Sequence, residues 1–123
     1  MNAKQAGFTL IELVIVIVVL GILAVAAIPK YIDIVSEART AATQGVAGGL
    51  ASASATNFAI RSGFSTKGDA ITSCVAVGGA MAGGAPTGYT ITPTTAISAG
   101  ATGTCTGTGP GSTTANFVAH GII

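Results

Sequence analysis

Charge is the scarcest resource in this chain. Its 123 residues include five Lys and Arg, four Asp and Glu, one His and no Trp, so charged side chains make up only 7%. The cations, Lys4, Lys30, Arg39, Arg61 and Lys67, are scattered. They form no basic patch that would neutralise a run of phosphates, and nucleic-acid binding is not expected of the subunit. Acidic residues end at Asp69, which removes the carboxylate cluster a calcium loop needs from the C-terminal half. The two cysteines, Cys74 and Cys105, fit neither a CxxC pair nor a zinc-ligand spacing. Neither metal nor other cofactor is expected. His120 has no acid near it in sequence, and the many Ser and Thr have no evident base beside them. No catalytic constellation can be assembled from such a set. The glycine-rich runs also lack the Lys-Ser or Lys-Thr of a phosphate loop. The chain reads as a non-enzyme.

What it has in abundance is apolar surface. Half the residues are hydrophobic, the opposite of the low-hydrophobicity, high-charge pattern of disorder. Residues 13–28 contain sixteen consecutive positions without a polar side chain, and extending back to Phe8 makes twenty-one, interrupted only by Thr9 and Glu12. As a helix, twenty-one residues span about 31 Å, close to a bilayer's hydrocarbon thickness. Helix is also the only backbone state in which a lone segment satisfies its own hydrogen bonds in lipid. The rest of the chain is too small to bury this segment as a core helix.

Glu12 is the informative exception. A carboxylate near the edge of a spanning segment is costly unless a cation meets it, and Lys4, eight positions away, is the only encoded cation on that side. Cutting the chain after Gly7 would create a new cation, the α-ammonium of Phe8. It could pair with Glu12 one helical turn away in the same chain or in a neighbouring one, and the residues leave both open. Two rival readings explain less. A secretory signal peptide cleaved after Ala26 would use Ala24-Val25-Ala26, but it places an acid at the threshold of an unusually long apolar core. A plain transmembrane anchor gives Glu12 no purpose.

Pro29 should kink or interrupt the helix, with Gly21 a second weak point. Beyond it, Tyr31, Val35, Ala38, Ala42, Val46, Leu50, Ala53, Asn57 and Ile60 recur at steps of three or four and trace one face. This amphipathic extension covers residues 29–62, with Gly63 the stop signal. Within it Gly45 and Gly49, four apart, either allow close approach of another helix or only soften this one. Residues 63–123 predict a small β-rich head. Short strands are expected at residues 72–77, at 89–92, within 101–106 and around 116–119, separated by Gly-Gly and Gly-Pro turns. The fold class is α+β, a long N-terminal helix, membrane-spanning in its first half, packed against a small antiparallel sheet. So small a head needs a staple. In an oxidising compartment a Cys74–Cys105 disulfide would supply it, and two reduced core cysteines are the alternative.

The stretch Gly7-Phe8-Thr9-Leu10-Ile11-Glu12-Leu13, with the apolar run up to Ala27 and then Pro29, resembles the leader junction and N-terminal helix of type IV prepilins. The likeness is strong from Gly7 to Lys30 and weaker to about Gly49. Ile28-Pro29-Lys30-Tyr31-Ile32-Asp33 and the Thr-rich head look similar to short pilins of the mannose-sensitive haemagglutinin type. The resemblance implies a class III leader at residues 1–7, cut by a prepilin peptidase between Gly7 and Phe8, with N-methylation of Phe8. It implies a polymerisation helix at 8–28 in which the Glu12 carboxylate meets the Phe8 amine of an adjacent subunit. The helix at Gly21 to Pro29 would be the part able to melt on assembly, and Cys74 and Cys105 would enclose the variable C-terminal loop. Implied partners are further copies in a helical filament, the peptidase/methylase and the pilus assembly machinery. The precursor would lie in the inner membrane and the product in an extracellular pilus that serves functions such as adhesion. A type II secretion pseudopilin shares this N-terminus. The missing acidic calcium cluster and the cysteine pair favour a pilin.

Overall fold

The computed structural model describes residues 6–123, and it divides into two compact units, Met1–Val35 and Ser36–Ile123. One helix, α1 (Leu10–Gly63, 54 residues), contributes to both. Its first part is helical because lipid-type side chains leave no competing polar contacts. Its second part is rich in Ala and other small residues with good to moderate helix propensity. The helix closes at Gly63, where the Phe64 N–H donates to the Ile60 carbonyl at 2.8 Å.

Gly21 and Pro29 both lie within α1. The interruption expected at these positions is absent from the isolated subunit. Pro29 lacks the N–H that would bond the Val25 carbonyl, so the helix is missing one rung there without ending.

The C-terminal unit holds everything else. A single-turn helix α2 (Val77–Ala80) is followed by β1 (Thr90–Thr92), β2 (Thr102–Thr108) and β3 (Thr114–His120). These strands form one antiparallel sheet in the order β1-β2-β3. β2 and β3 make a hairpin whose register sets Cys105 opposite Phe117 and Thr108 opposite Thr114. A 3-10 turn at Pro110–Ser112 joins them. Even-numbered residues of the hairpin are exposed or half-buried, and Cys105, Gly107, Phe117 and Ala119 face inward and are buried. This is the period-two alternation of a sheet with one covered face.

Two expectations need correcting. The strand at 72–77 does not form. Ile71 and Ser73 each make a single bridge, to Ile122 and Ala96, and the chain then turns through Ala76 N–H to Ser73 carbonyl into α2. Individual bridges satisfy this backbone without a continuous ladder, and Gly78-Gly79 follows too closely for a strand to extend. The buried stripe of α1 also differs from the apolar face read from the sequence. It runs through Thr43, Ala47, Leu50, Ser54 and Asn57, sharing only Leu50 and Asn57 with the expected set. Three of its five residues are polar, and each is buried against a hydrogen-bond partner, which a hydrophobic ranking passes over.

Those partners tie α1 to the head. Thr43 Oγ1 lies 2.6 Å from Thr113 Oγ1, and Ser54 Oγ accepts from the His120 N–H at 2.8 Å. Asn57 uses both ends of its amide: Nδ2 donates to the Asp69 carbonyl and Oδ1 accepts from the Asp69 N–H, each at 2.8 Å. Gly68, at φ +78°, makes this clamp possible, since a Cβ there would come within 2.6 Å of Asn57 Oδ1. Around these anchors sits a core of Ala47, Leu50, Ile71, Cys74, Val77, Ile97, Cys105, Phe117 and Ala119. At its centre the disulfide Cys74–Cys105 joins Cα atoms 5.6 Å apart.

Candidate functional site: the N-terminal start of the helix

Ala6, Gly7, Phe8 and Thr9 precede the helix in non-helical backbone. The helix begins at Leu10 rather than at Phe8 because Thr9 caps it. The Thr9 N–H donates to Glu12 Oε2 at 2.8 Å, and the Glu12 N–H donates to Thr9 Oγ1 at 3.3 Å. This is the reciprocal capping box of Thr-x-x-Glu, which satisfies two otherwise orphaned donors of the first turn. Thr9 Oγ1 also donates to the same Glu12 oxygen at 2.8 Å, so both side chains are held in place. The carboxylate in the first turn faces the positive end of the helix dipole, which adds to its favourable placement. The Thr9-x-x-Glu12 spacing was readable as a cap in the sequence, yet the length of the apolar run drew the helix start back to Phe8.

Gly7, Phe8 and Glu12 are close neighbours. With Ala6 they line a shallow recess of about 200 Å³. The Phe8 side chain is 91% exposed. Gly7 would meet nothing within 4 Å if it carried a Cβ. The bond between Gly7 and Phe8 thus lies outside the helix and uncovered by the fold. Of the expected leader, residues 1–5, including Lys4, lie outside the described residues. From Leu10 onward the apolar side chains of α1 are exposed up to Ile34. The helix is long and apolar enough to cross a membrane, and the apolar window that qualifies it has no part buried.

The remaining sequence-derived positions separate into two groups. Cys74 and Cys105 are joined as a disulfide, both fully buried. Gly45 and Gly49 find no helix partner within the subunit. A Cβ at Gly45 would meet nothing within 4 Å, and one at Gly49 would meet only the Met81 methyl at 3.5 Å, an ordinary contact. His120 packs its ring 5.6 Å from that of Phe58 and is half-buried. Among the described residues, no group of three or more His, Cys, Asp or Glu could hold a metal ion. The residues that sequence reasoning missed are Thr9, Thr43 and Ser54, together with the clamp that Asn57 makes. All act through a few directed hydrogen bonds, so hydropathy periodicity gives them no signal.

Known proteins resemble the same N-terminal stretch. The family description "Prokaryotic N-terminal methylation motif" matches residues 2–28. The chain is 49% identical over 57 residues to a fimbrial protein of Moraxella nonliquefaciens, covering 46% of this chain and 36% of that protein. It is 56% identical over 45 residues to a type IV major alpha-pilin of Moraxella bovis, covering 37% and 28%. A type IV major fimbrial protein FimA of Dichelobacter nodosus is 48% identical over 50 residues, covering 41% and 31%. The matched stretch spans about a third of the length of these relatives. No solved structure matches the chain significantly. With its capped apolar helix, the N-terminal region is similar to that of type IV pilins and fimbrial proteins, and it matches the N-terminal methylation motif.

Proposed function

We propose that the chain is the structural subunit of a type IV pilus, made as an inner-membrane precursor and polymerised through α1 after cleavage between Gly7 and Phe8. The observation that carries this reading is the placement of Gly7, Phe8 and Glu12. A peptidase needs an extended, accessible bond, and Gly7-Phe8 lies in non-helical backbone just before the cap. Cleavage leaves the Phe8 α-ammonium beside the positive end of a helix dipole, an unfavourable position for a cation. The Glu12 carboxylate, of which only Oε2 is occupied by Thr9, is the one encoded acid positioned to offset it. In apolar surroundings such a charge pair is strong and directional. Within one subunit it neutralises the mature terminus. Between subunits it fixes their register, and that is the arrangement proposed in the filament. Methylation of Phe8 leaves its positive charge in place. The peptidase/methylase and the assembly machinery are the partners this route requires.

The uncovered apolar surface from Leu10 to Ile34 supports the same reading. Lipid covers it before assembly, and neighbouring α1 helices cover it afterwards. Loss of a hydrogen bond at Pro29 makes the segment from Gly21 to Pro29 the cheapest part of the helix to unwind when copies pack. The test is the mature N-terminus by intact mass or protein sequencing, with methylated Phe8 expected. A mature start at Ala27 would overturn the reading in favour of a conventional signal peptide. Glu12→Ala should leave membrane insertion normal and nearly abolish sheared surface filaments. Filaments at undiminished yield would defeat the charge-pair mechanism.

A further inference from the structure

A groove of about 490 Å³ opens on the C-terminal unit. Gly49 and Ala53, four apart on one face of α1, form part of its lining with Ala80 and Met81, and Asn57 and Asp69 also border it. Side chains this small let a partner helix approach closely. The backbone of Asp69 is fixed on both sides by the Asn57 amide. The cations nearest to it in sequence are engaged elsewhere. Arg61 donates to the Gly68 carbonyl at 2.9 Å, and the Lys67 ammonium lies 5.4 Å from the centre of the Phe64 ring. The groove therefore presents small, mostly apolar walls and one negative charge.

The same chain carries a surface of complementary kind. Tyr31 and Ile34 are 70% and 62% exposed and lie beyond the spanning segment 8–28. Residues 30, 31 and 34 share one face of a helix turn, so exposed Lys30 sets a positive charge beside these two apolar side chains. Neither surface is occupied in the subunit.

Building on the filament reading above, we propose that the groove of one copy receives the Lys30, Tyr31 and Ile34 face of a second copy. Tyr31 and Ile34 pack over Gly49 and Ala53, and the Lys30 ammonium pairs with the Asp69 carboxylate. Donor and acceptor surfaces differ, so the contact is heterologous. Each copy carries one of each, and a heterologous contact that does not close into a ring propagates as an open helical array.

Charge reversal in the full-length chain tests this docking. Lys30→Asp and Asp69→Lys should each lower the yield of sheared filaments by at least about tenfold, because like charges then face each other. Subunit levels in the membrane should stay unchanged. The double variant K30D/D69K should regain most of the yield. Single reversals without effect, or a double variant no better than the singles, would overturn the proposal. Loss with Asp69→Lys but not with Lys30→Asp would assign the groove to a different occupant, and that also overturns it. A second measurement is independent of charge. Tyr31→Cys combined with Ala53→Cys should give a ladder of cross-linked oligomers in oxidised filaments, and neither variant alone should. Only monomer from the combined variant would count against the docking. Failure of the unsubstituted chain to form filaments would sink both this contact and the pilus reading. Filaments indifferent to the swap and the cross-link would sink the contact alone.

Discussion

The two units of this chain use hydrophobicity in opposite ways. Up to Ile34 the helix is almost wholly apolar, and its large apolar side chains are exposed. From Ser36 onward the sequence is dominated by Gly, Ala, Ser and Thr, yet that is where the core lies. Burial follows from what surrounds a residue and not from its own side chain alone. Leu, Ile and Val without a protein partner imply another apolar medium or another copy. Thr, Ser and Asn can be buried when each donor and acceptor is matched. The first unit is thus built for its surroundings, and the second for itself.

The largest test of that contrast removes the staple of the second unit. Replacing Cys74 and Cys105 together by Ala should lower head stability by about 3.7 kcal/mol, the chain-entropy value for a loop of this length. Few large side chains remain to compensate: among the described residues the sizeable, buried apolar members of the core are Leu50, Ile71, Val77, Ile97 and Phe117. Thermal unfolding of the full chain in detergent micelles, followed by near-ultraviolet circular dichroism, should show a large fall in midpoint. Helical signal from the first unit should persist. Concerted loss of both would show that the units are not energetically separate.

A smaller effect is expected at the hydrogen-bonded clamp. Asn57→Ala removes two bonds at once and leaves the Asp69 N–H and carbonyl without these partners. A cost of about 2 kcal/mol is expected, because orphaned polar groups lose more than the bonds themselves were worth. Asn57→Asp can still accept from the Asp69 N–H but cannot donate to its carbonyl, so it should recover only part of the loss. Urea unfolding midpoints of the two variants measure the difference. Equal midpoints for Asn57→Ala and the unsubstituted chain would mean that Gly68 and Asp69 are held by something other than the clamp.

These residues also mark where the sequence was legible. The apolar run, Glu12, the stop at Gly63 and the α+β layout could all be read, because each rests on composition or on a period many residues long. Three strands and the pairing of Cys74 with Cys105 followed from turn residues and the need for a staple. The exact stripe of α1 could not be read. Thr43 and Ser54 are buried by partners seventy and sixty-six positions away, and no local pattern encodes those contacts. Segment 72–77 misled for a related reason. Its residue types suit a strand, but Ile71 and Ser73 bond to different segments, Ile122 and Ala96. In the N-terminal site, Gly7, Phe8 and Glu12 stood out, whereas Thr9 registered only as an interruption of the apolar run and not as the cap of the helix.

The smallest expected effect is the sharpest test, because it makes one chemical change in both units. Leu50 is 1% exposed and Leu20 is 58% exposed, and both lie on α1. Leu50→Ala empties part of the core and should cost roughly 3 kcal/mol, within the range for buried leucines. Leu20→Ala opens no cavity in the protein. In micelles its side chain meets detergent whether or not the head is folded, so the transfer term cancels and the change should stay within about 0.5 kcal/mol. Head unfolding midpoints of the two variants, measured side by side, check this. If Leu20→Ala moved the midpoint as far as Leu50→Ala, the first unit would have to contribute to the head's stability through contacts the single subunit does not contain. Self-association in the micelle would then be the source, and the shift should disappear on dilution.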